Sequence, residues 1–158
     1  MKKMIWMLLM VMAVGIAGAA GSVHAEGKFD HIITAADVEK LTGLSGVKQV
    51  PREPLNKFRN GDLNFVTKDD QPILMIQFRP AYVFDAMKAD TGYFKAAVAG
   101  IGESAFSSPA FDPQFSINLL KGSTAAVVTT HVDPKDKTKI VLKMDQLVAI
   151  AKLVASRM

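Results

Sequence analysis

Phe115-Ser-Ile-Asn-Leu-Leu-Lys-Gly-Ser-Thr-Ala-Ala-Val-Val-Thr-Thr-His-Val132 is the stretch from which the rest of the chain can be read. Phe115, Ile117 and Leu119 alternate with Ser116, Asn118 and Leu120, the period of two that sends successive side chains to opposite faces of a strand. Lys121-Gly122 turns the chain, Thr124 to Val132 is a β-branched run, and Asp133-Pro134-Lys135-Asp136 breaks it. The pattern predicts a β-hairpin.

Working outward, a second hairpin is expected over 62–79. Leu63, Phe65 and Thr67 alternate with Asp62, Asn64 and Val66, Lys68 to Pro72 makes a polar turn, and Ile73 to Arg79 resumes as an apolar strand. Pro72 is tolerated at a strand's first residue, and Pro80 ends it. Between the hairpins, 81–89 reads as a short helix, 93–99 as a further helical turn, and 100–113 as loop. Upstream, Thr34 caps a helix with Asp37 at its third position, Ile33 staples onto Val38, and Gly43 closes it. Val47 to Val50 reads as a strand and 51–61 as a loop or irregular edge. Downstream, Leu147, Ile150, Ala151, Val154 and Met158 recur at helical spacing, so 144–157 is a helix with Arg157 in its last turn, where the dipole favours it. The resulting order predicts an α+β fold: an antiparallel sheet built from two β-hairpins with helices packed on one face.

The 158-residue chain is 49% hydrophobic and carries a net charge of +4. Residues 1–25 hold Lys2, Lys3, no acid, five of the nine methionines and the single tryptophan, Trp6. Without them 133 residues remain, with a net charge of +2. That suffices for one domain with a core of its own, 26–158, but falls short of a TIM barrel at roughly 200 residues or more. So small a surplus of positive charge gives no case for nucleic acid, which asks for a concentrated basic patch.

Lys2 and Lys3 form a positive n-region, Met4 to Ala20 is apolar, and Val23-His24-Ala25 ends in an A-x-A-like cleavage site. This is the pattern of a secretory signal peptide cut after Ala25; the alternative is a retained anchor, for which the apolar run is short. Membrane contact is then expected only through the transient signal. No cysteine follows, so a lipid-anchored N-terminus, disulfides and thiol catalysis all fall away. An exported, cysteine-free domain fits a bacterial periplasm or the cell exterior.

Thr34-Ala-Ala-Asp-Val-Glu-Lys-Leu-Thr-Gly43, Val98-Ala-Gly-Ile-Gly-Glu-Ser-Ala-Phe106, and Leu119-Leu-Lys-Gly122 ahead of a β-branched strand and terminal helix form a familiar set. Together they resemble small exported bacterial domains of the uncharacterised DUF3558-like lipoprotein type. The resemblance spans most of 33–158 and implies an α+β fold but no activity. The chain departs from that type in lacking a lipobox cysteine and any disulfide pair.

Several constellations bear on chemistry. Gly100-Ile-Gly102-Glu-Ser-Ala105 has the spacing of a dinucleotide-binding fingerprint, but Ser107-Ser108-Pro109 would cut the long helix the motif requires. A tight corner is the expected reading, and no cofactor is expected. Ser104 lacks the second glycine of a nucleophile elbow. Beyond the signal only His31 and His131 remain, without metal-ligand spacing, and a lone strand histidine such as His131 reads as packed or half-exposed. Asp133, Asp136 and Asp145 are interleaved with lysines and read as solvated turn. Lys48, Arg52, Lys57, Arg59 and Lys68 share their segment with Glu53, Asp62, Asp69 and Asp70, a mixed-sign solvated face.

The least ordinary feature is aromatic. Tyr82, Phe84, Tyr93, Phe94, Phe106, Phe111 and Phe115 crowd the segment joining the hairpins. They form either the centre of the core or, because 100–113 reads as loop, a surface for an apolar ligand or protein partner. Tyr82, Phe84, Tyr93, Phe94, Phe106 and Phe111 are therefore the candidate site. The expected function is a small non-enzymatic binding or accessory module acting through 80–113 or a sheet edge. The alternatives are a hydrolase or lyase with a site assembled from scattered residues, or a structural envelope protein.

Overall fold

In the computed structural model, residues 27–158 are described except Phe58, Asp112, Pro113, Pro134, Lys137 and Thr138, together with the side chains of Ala110, Phe111 and Gln114. The signal peptide read over 1–25 lies outside the described residues. No described helix is long and apolar enough to cross a membrane.

Helix α1 (Ala35–Thr42) begins where the capping signals place it. Thr34 Oγ1 accepts from Asp37 N at 3.2 Å and Asp37 Oδ2 accepts from Thr34 N at 2.9 Å, so two orphan amides at the helix start are satisfied reciprocally. Ile33 and Val38 are both fully buried, as a staple requires. Strand β1 (Lys48–Val50) follows, then the hairpin of β2 (Leu63–Val66) and β3 (Pro72–Pro80). Helix α2 (Ala81–Ala89) leaves β3 without a loop and leads to β4 (Ala96–Ala97), β5 (Ser104–Phe111), β6 (Gln114–Lys121), β7 (Thr124–Thr130) and helix α3 (Met144–Arg157). The strands make one antiparallel sheet in the order β1-β2-β3-β7-β6-β5-β4. The fold is α+β, and both expected hairpins lie in its middle, joined by β3 and β7.

Three expectations need correction. The helical turn over 93–99 is instead the edge strand β4, held by Lys95 N donating to Ser107 O and Val98 N to Ala105 O, both at 2.9 Å. The loop read over 100–113 contains the eight-residue strand β5. Its serines and Pro109 hide the strand by composition, yet Pro109 is harmless there, because β4 covers only Phe106 and Ser107 and leaves the strand unpaired on that side further along. The helices also do not all share one face. Helices α1 and α3 cover the face carrying Leu63, Phe65, Leu74, Ile76, Ile117, Leu119, Ala126 and Val128, against which Leu147, Ile150 and Val154 pack. Helix α2 instead carries the chain from mid-sheet to the far edge, and it puts Phe84 against Phe106 and Ala125 on the opposite face.

Helices α1 and α3 are bound to each other by polar contacts at both ends. Gln146 Nε2 donates to Thr42 O at 2.8 Å, and Arg157 forks onto Asp37 at 2.6 and 3.1 Å while also donating to Ile32 O. The Arg157 guanidinium holds the Asp37 carboxyl down at about 2. One carboxylate thus caps α1 and receives α3. Replacing Asp37 by alanine is expected to cost about 2 kcal/mol in urea unfolding, about 1 from the cap and up to about 1 from a partly exposed bidentate pair. Arg157→Ala, which spares the cap, should cost less.

Candidate functional site

The six candidate aromatics do not form one surface. Tyr82 and Phe84 are two residues apart on α2 and so project from opposite sides of it; Tyr82 is 72% exposed and Phe84 is buried. Phe106 is fully buried at the centre of a small second core, its ring 5.2 Å from Phe84 and 5.6 Å from Phe94. Leu120, Met87 and Ala125 complete that core. Lys88 Nζ lies 5.9 Å above the Phe84 ring and donates to Ser104 Oγ at 3.3 Å, covering one flank. Phe94 and Tyr93 stand on a turn built by Asp90, whose carbonyl accepts both of their amides and whose Oδ1 accepts Gly92 N at 2.7 Å. Phe94 is 37% exposed despite its contact with Phe106, and Tyr93 is likewise exposed. Phe111 ends β5 with its side chain outside the described residues. Phe115 pairs with Pro109 and packs into the main core on the other face. Of these candidates, Phe84, Phe94 and Phe106 are brought together among the described residues.

Beside them lies a polar group that the sequence reading did not single out. On β5 and β6 Phe106 faces Asn118, and Ser108 faces Ser116, all on the α2 side of the sheet. Asn118 Nδ2 donates to Ser108 Oγ at 2.8 Å, and the two serine hydroxyls lie 3.1 Å apart. All three residues are buried, and Asn118 Oδ1 has no hydrogen-bond partner among the described residues. An orphaned buried acceptor of this kind costs about 1–3 kcal/mol. The alternation of Ser116 and Asn118 with Ile117 and Leu119 was legible as a polar strand face; that this face is buried was not, because a half-solvated strand has the same pattern.

The remaining constellations resolve into structure. Gly100 and Gly102 have positive φ, and the segment leads into β5 rather than a helix N-terminus, so it is a corner and not a pyrophosphate turn. Glu103 Oε1 there accepts Gly122 N at 2.9 Å, fastening the β6–β7 turn. Lys48 pairs with Asp70, Arg52 with Asp62 and Arg59 with Glu53, as a mixed-sign surface should. His131 is buried just past β7, with its amide on Ile73 O and its carbonyl accepting Val141 N. Among the described residues no group of three His, Asp or Glu side chains is placed to hold a metal ion. Compared with protein-family models, curated proteins and solved structures, the chain finds no match in any of the three.

Proposed function

We propose that this chain is an exported, non-catalytic binding module of the bacterial periplasm or cell exterior, and that it takes a small apolar ligand at the Phe84–Phe94–Phe106 cluster. The observation that carries the reading is Phe94. Its ring rests on a fully buried neighbour yet remains 37% exposed on a turn, offering apolar area that an occupant would remove from water. The sequence of residues 1–25 supports export. A protein partner is the second reading, favoured by β4: a two-residue edge strand, exposed at both residues, that ends the sheet beside Tyr93 and Phe94.

Native mass spectrometry on the protein purified from an exporting cell tests this. A small-molecule mass should accompany the chain and be lost in Phe94→Ala, a change at a half-exposed ring that should cost no more than about 1 kcal/mol of stability. Phe106→Ala would be a poor probe, since deleting a fully buried ring costs about 3–5 kcal/mol on its own. A bare chain, with Phe94→Ala indistinguishable from the parent, overturns the ligand reading. A co-purifying protein lost on the same substitution establishes the second.

A further inference from the structure

The two outer edges of the sheet are finished differently. At β1 the edge is guarded: Lys48 Nζ donates to Lys68 O and pairs with Asp70, Gln49 Nε2 donates to Asp30 O, and Pro51 and Arg52 follow directly. Charge, proline and a covering segment are the usual means of keeping a strand edge from pairing with another chain. At β4 they are nearly absent. Tyr93-Phe-Lys-Ala-Ala-Val-Ala99 has one charge and no proline, and every residue of it except Val98 is exposed. Strand β4 uses one side of its backbone on β5, with Lys95 N donating to Ser107 O and Val98 N to Ala105 O. Ala97 stands opposite Phe106 between these bonds, so the alternation of an antiparallel ladder turns its N–H and C=O to the outer side.

We infer that this edge docks a second copy of the chain, two β4 strands pairing antiparallel about a two-fold axis at Ala97 so that two seven-stranded sheets become one. This rests on the protein-partner reading above and names the partner. The outward N–H and C=O of Ala97 meet the same groups of the other copy and exchange two hydrogen bonds. The side chains brought face to face across the axis are compatible: Ala96 meets Val98, and Lys95 meets Ala99. Charge favours the antiparallel sense. It brings the start of one edge, with Lys95, to the end of the other, where Glu103 closes the corner, whereas a parallel seam would set lysine against lysine. Val98 already packs against the main core, so the apolar layer on the α3 side continues across the seam. A two-fold pairing also closes on itself, while β4 laid on the β1 edge of the next copy would run on into a fibre. The seam is short, below about 1,200 Å², so the dimer is weak and exchanges with monomer.

Sedimentation velocity of the chain purified from an exporting cell, from about 10 to about 500 μM, tests this in the range where a seam of that size associates. The sedimentation coefficient should rise from monomer toward dimer. Ala97→Lys and Ala97→Glu each place like charges across the axis and should each weaken association by about fivefold or more. An equal mixture of the two variants should restore it, which a variant that had merely lost its fold could not do. A dimer indifferent to both substitutions, or not restored on mixing, lies on another surface and overturns the inference. The unaltered chain decides the matter even where the variants fail to fold: the outward Ala97 amide should exchange its hydrogen more slowly as concentration rises. An exchange rate that stays the same, or a monomer throughout the range, overturns the second copy. A monomer accompanied by a different protein that is lost in Phe94→Ala leaves the partner reading standing; a monomer with no companion overturns both.

Discussion

Gly102→Ala should lower the free energy of unfolding by about 3 kcal/mol. Two independent costs combine there. The residue has φ +54, a conformation that costs a side-chain-bearing residue about 1 kcal/mol or more. A Cβ would also lie 2.4 Å from the carbonyl oxygen of Leu120, which belongs to β6 and cannot yield without disturbing the sheet. Relieving such an overlap costs about 1–3 kcal/mol. Gly122 separates the two effects. Its φ is +56 but nothing lies within 4 Å of an added Cβ, so Gly122→Ala should lose only about 1 kcal/mol. Urea unfolding of both variants checks the argument; equal losses would show that the close approach to Leu120 contributes nothing.

Acidification should remove about 3 kcal/mol of stability through His131 alone. The residue is buried, and that burial pulls its pKa from 6.5 to about 4. The folded form therefore prefers neutral imidazole, while the unfolded chain takes up its proton near pH 6.5. Stability from this group is complete above pH 6.5 and declines as the pH falls toward 4, below which both states are protonated. The affected structure is the segment that folds back on the end of β7, where Val141 N bonds to His131 O, Leu142 N to Thr130 Oγ1, and Val132 bridges Ile140. Asp37 acts in a separate and lower window. Its pKa is lowered, so its contribution is present above 3.8 and disappears as the pH falls toward 2. Unfolding measured from pH 7.5 to 4 should show the parent losing about 3 kcal/mol more than His131→Leu over that range. Parallel curves would remove His131 as the cause.

Those residues illustrate which parts of the molecule a sequence alone discloses. Helix α1 was legible to the residue because its signals are local: Thr34, Asp37 and Gly43 act within one turn of the helix end they define. Both hairpins were legible for the same reason, from alternation bounded by turn residues. Strand β5 was not, because Ser107, Ser108 and Pro109 are loop residues by composition and become strand residues only through pairing with β6. The position of α2 was equally hidden, since nothing in Tyr82 to Met87 says which face of a sheet its apolar side will meet. Of the candidate site, the aromatic crowding was visible, but its division into Phe84, Phe94 and Phe106 on one face and Phe115 on the other follows from register. Asn118 looked like an ordinary solvent-facing strand residue, and only tertiary burial makes its carbonyl conspicuous.

The sheet's strand order has a consequence for how the molecule forms. Strands β1 to β3 are a meander of neighbours in sequence, and so are β4 to β7, but the two halves meet only where β3 pairs with β7, across everything from Ala81 to Ser123. Closing that seam requires a large loop to be ordered before any of its hydrogen bonds reward it, so it belongs to the slow part of folding. A chain that emerges amino end first completes β3 well before β7 exists. In that interval the edge of β3, with Leu74 and Ile76 on it, is an open template for another strand. The weak moment of this protein is thus kinetic, and it falls during its own synthesis rather than in the finished sheet.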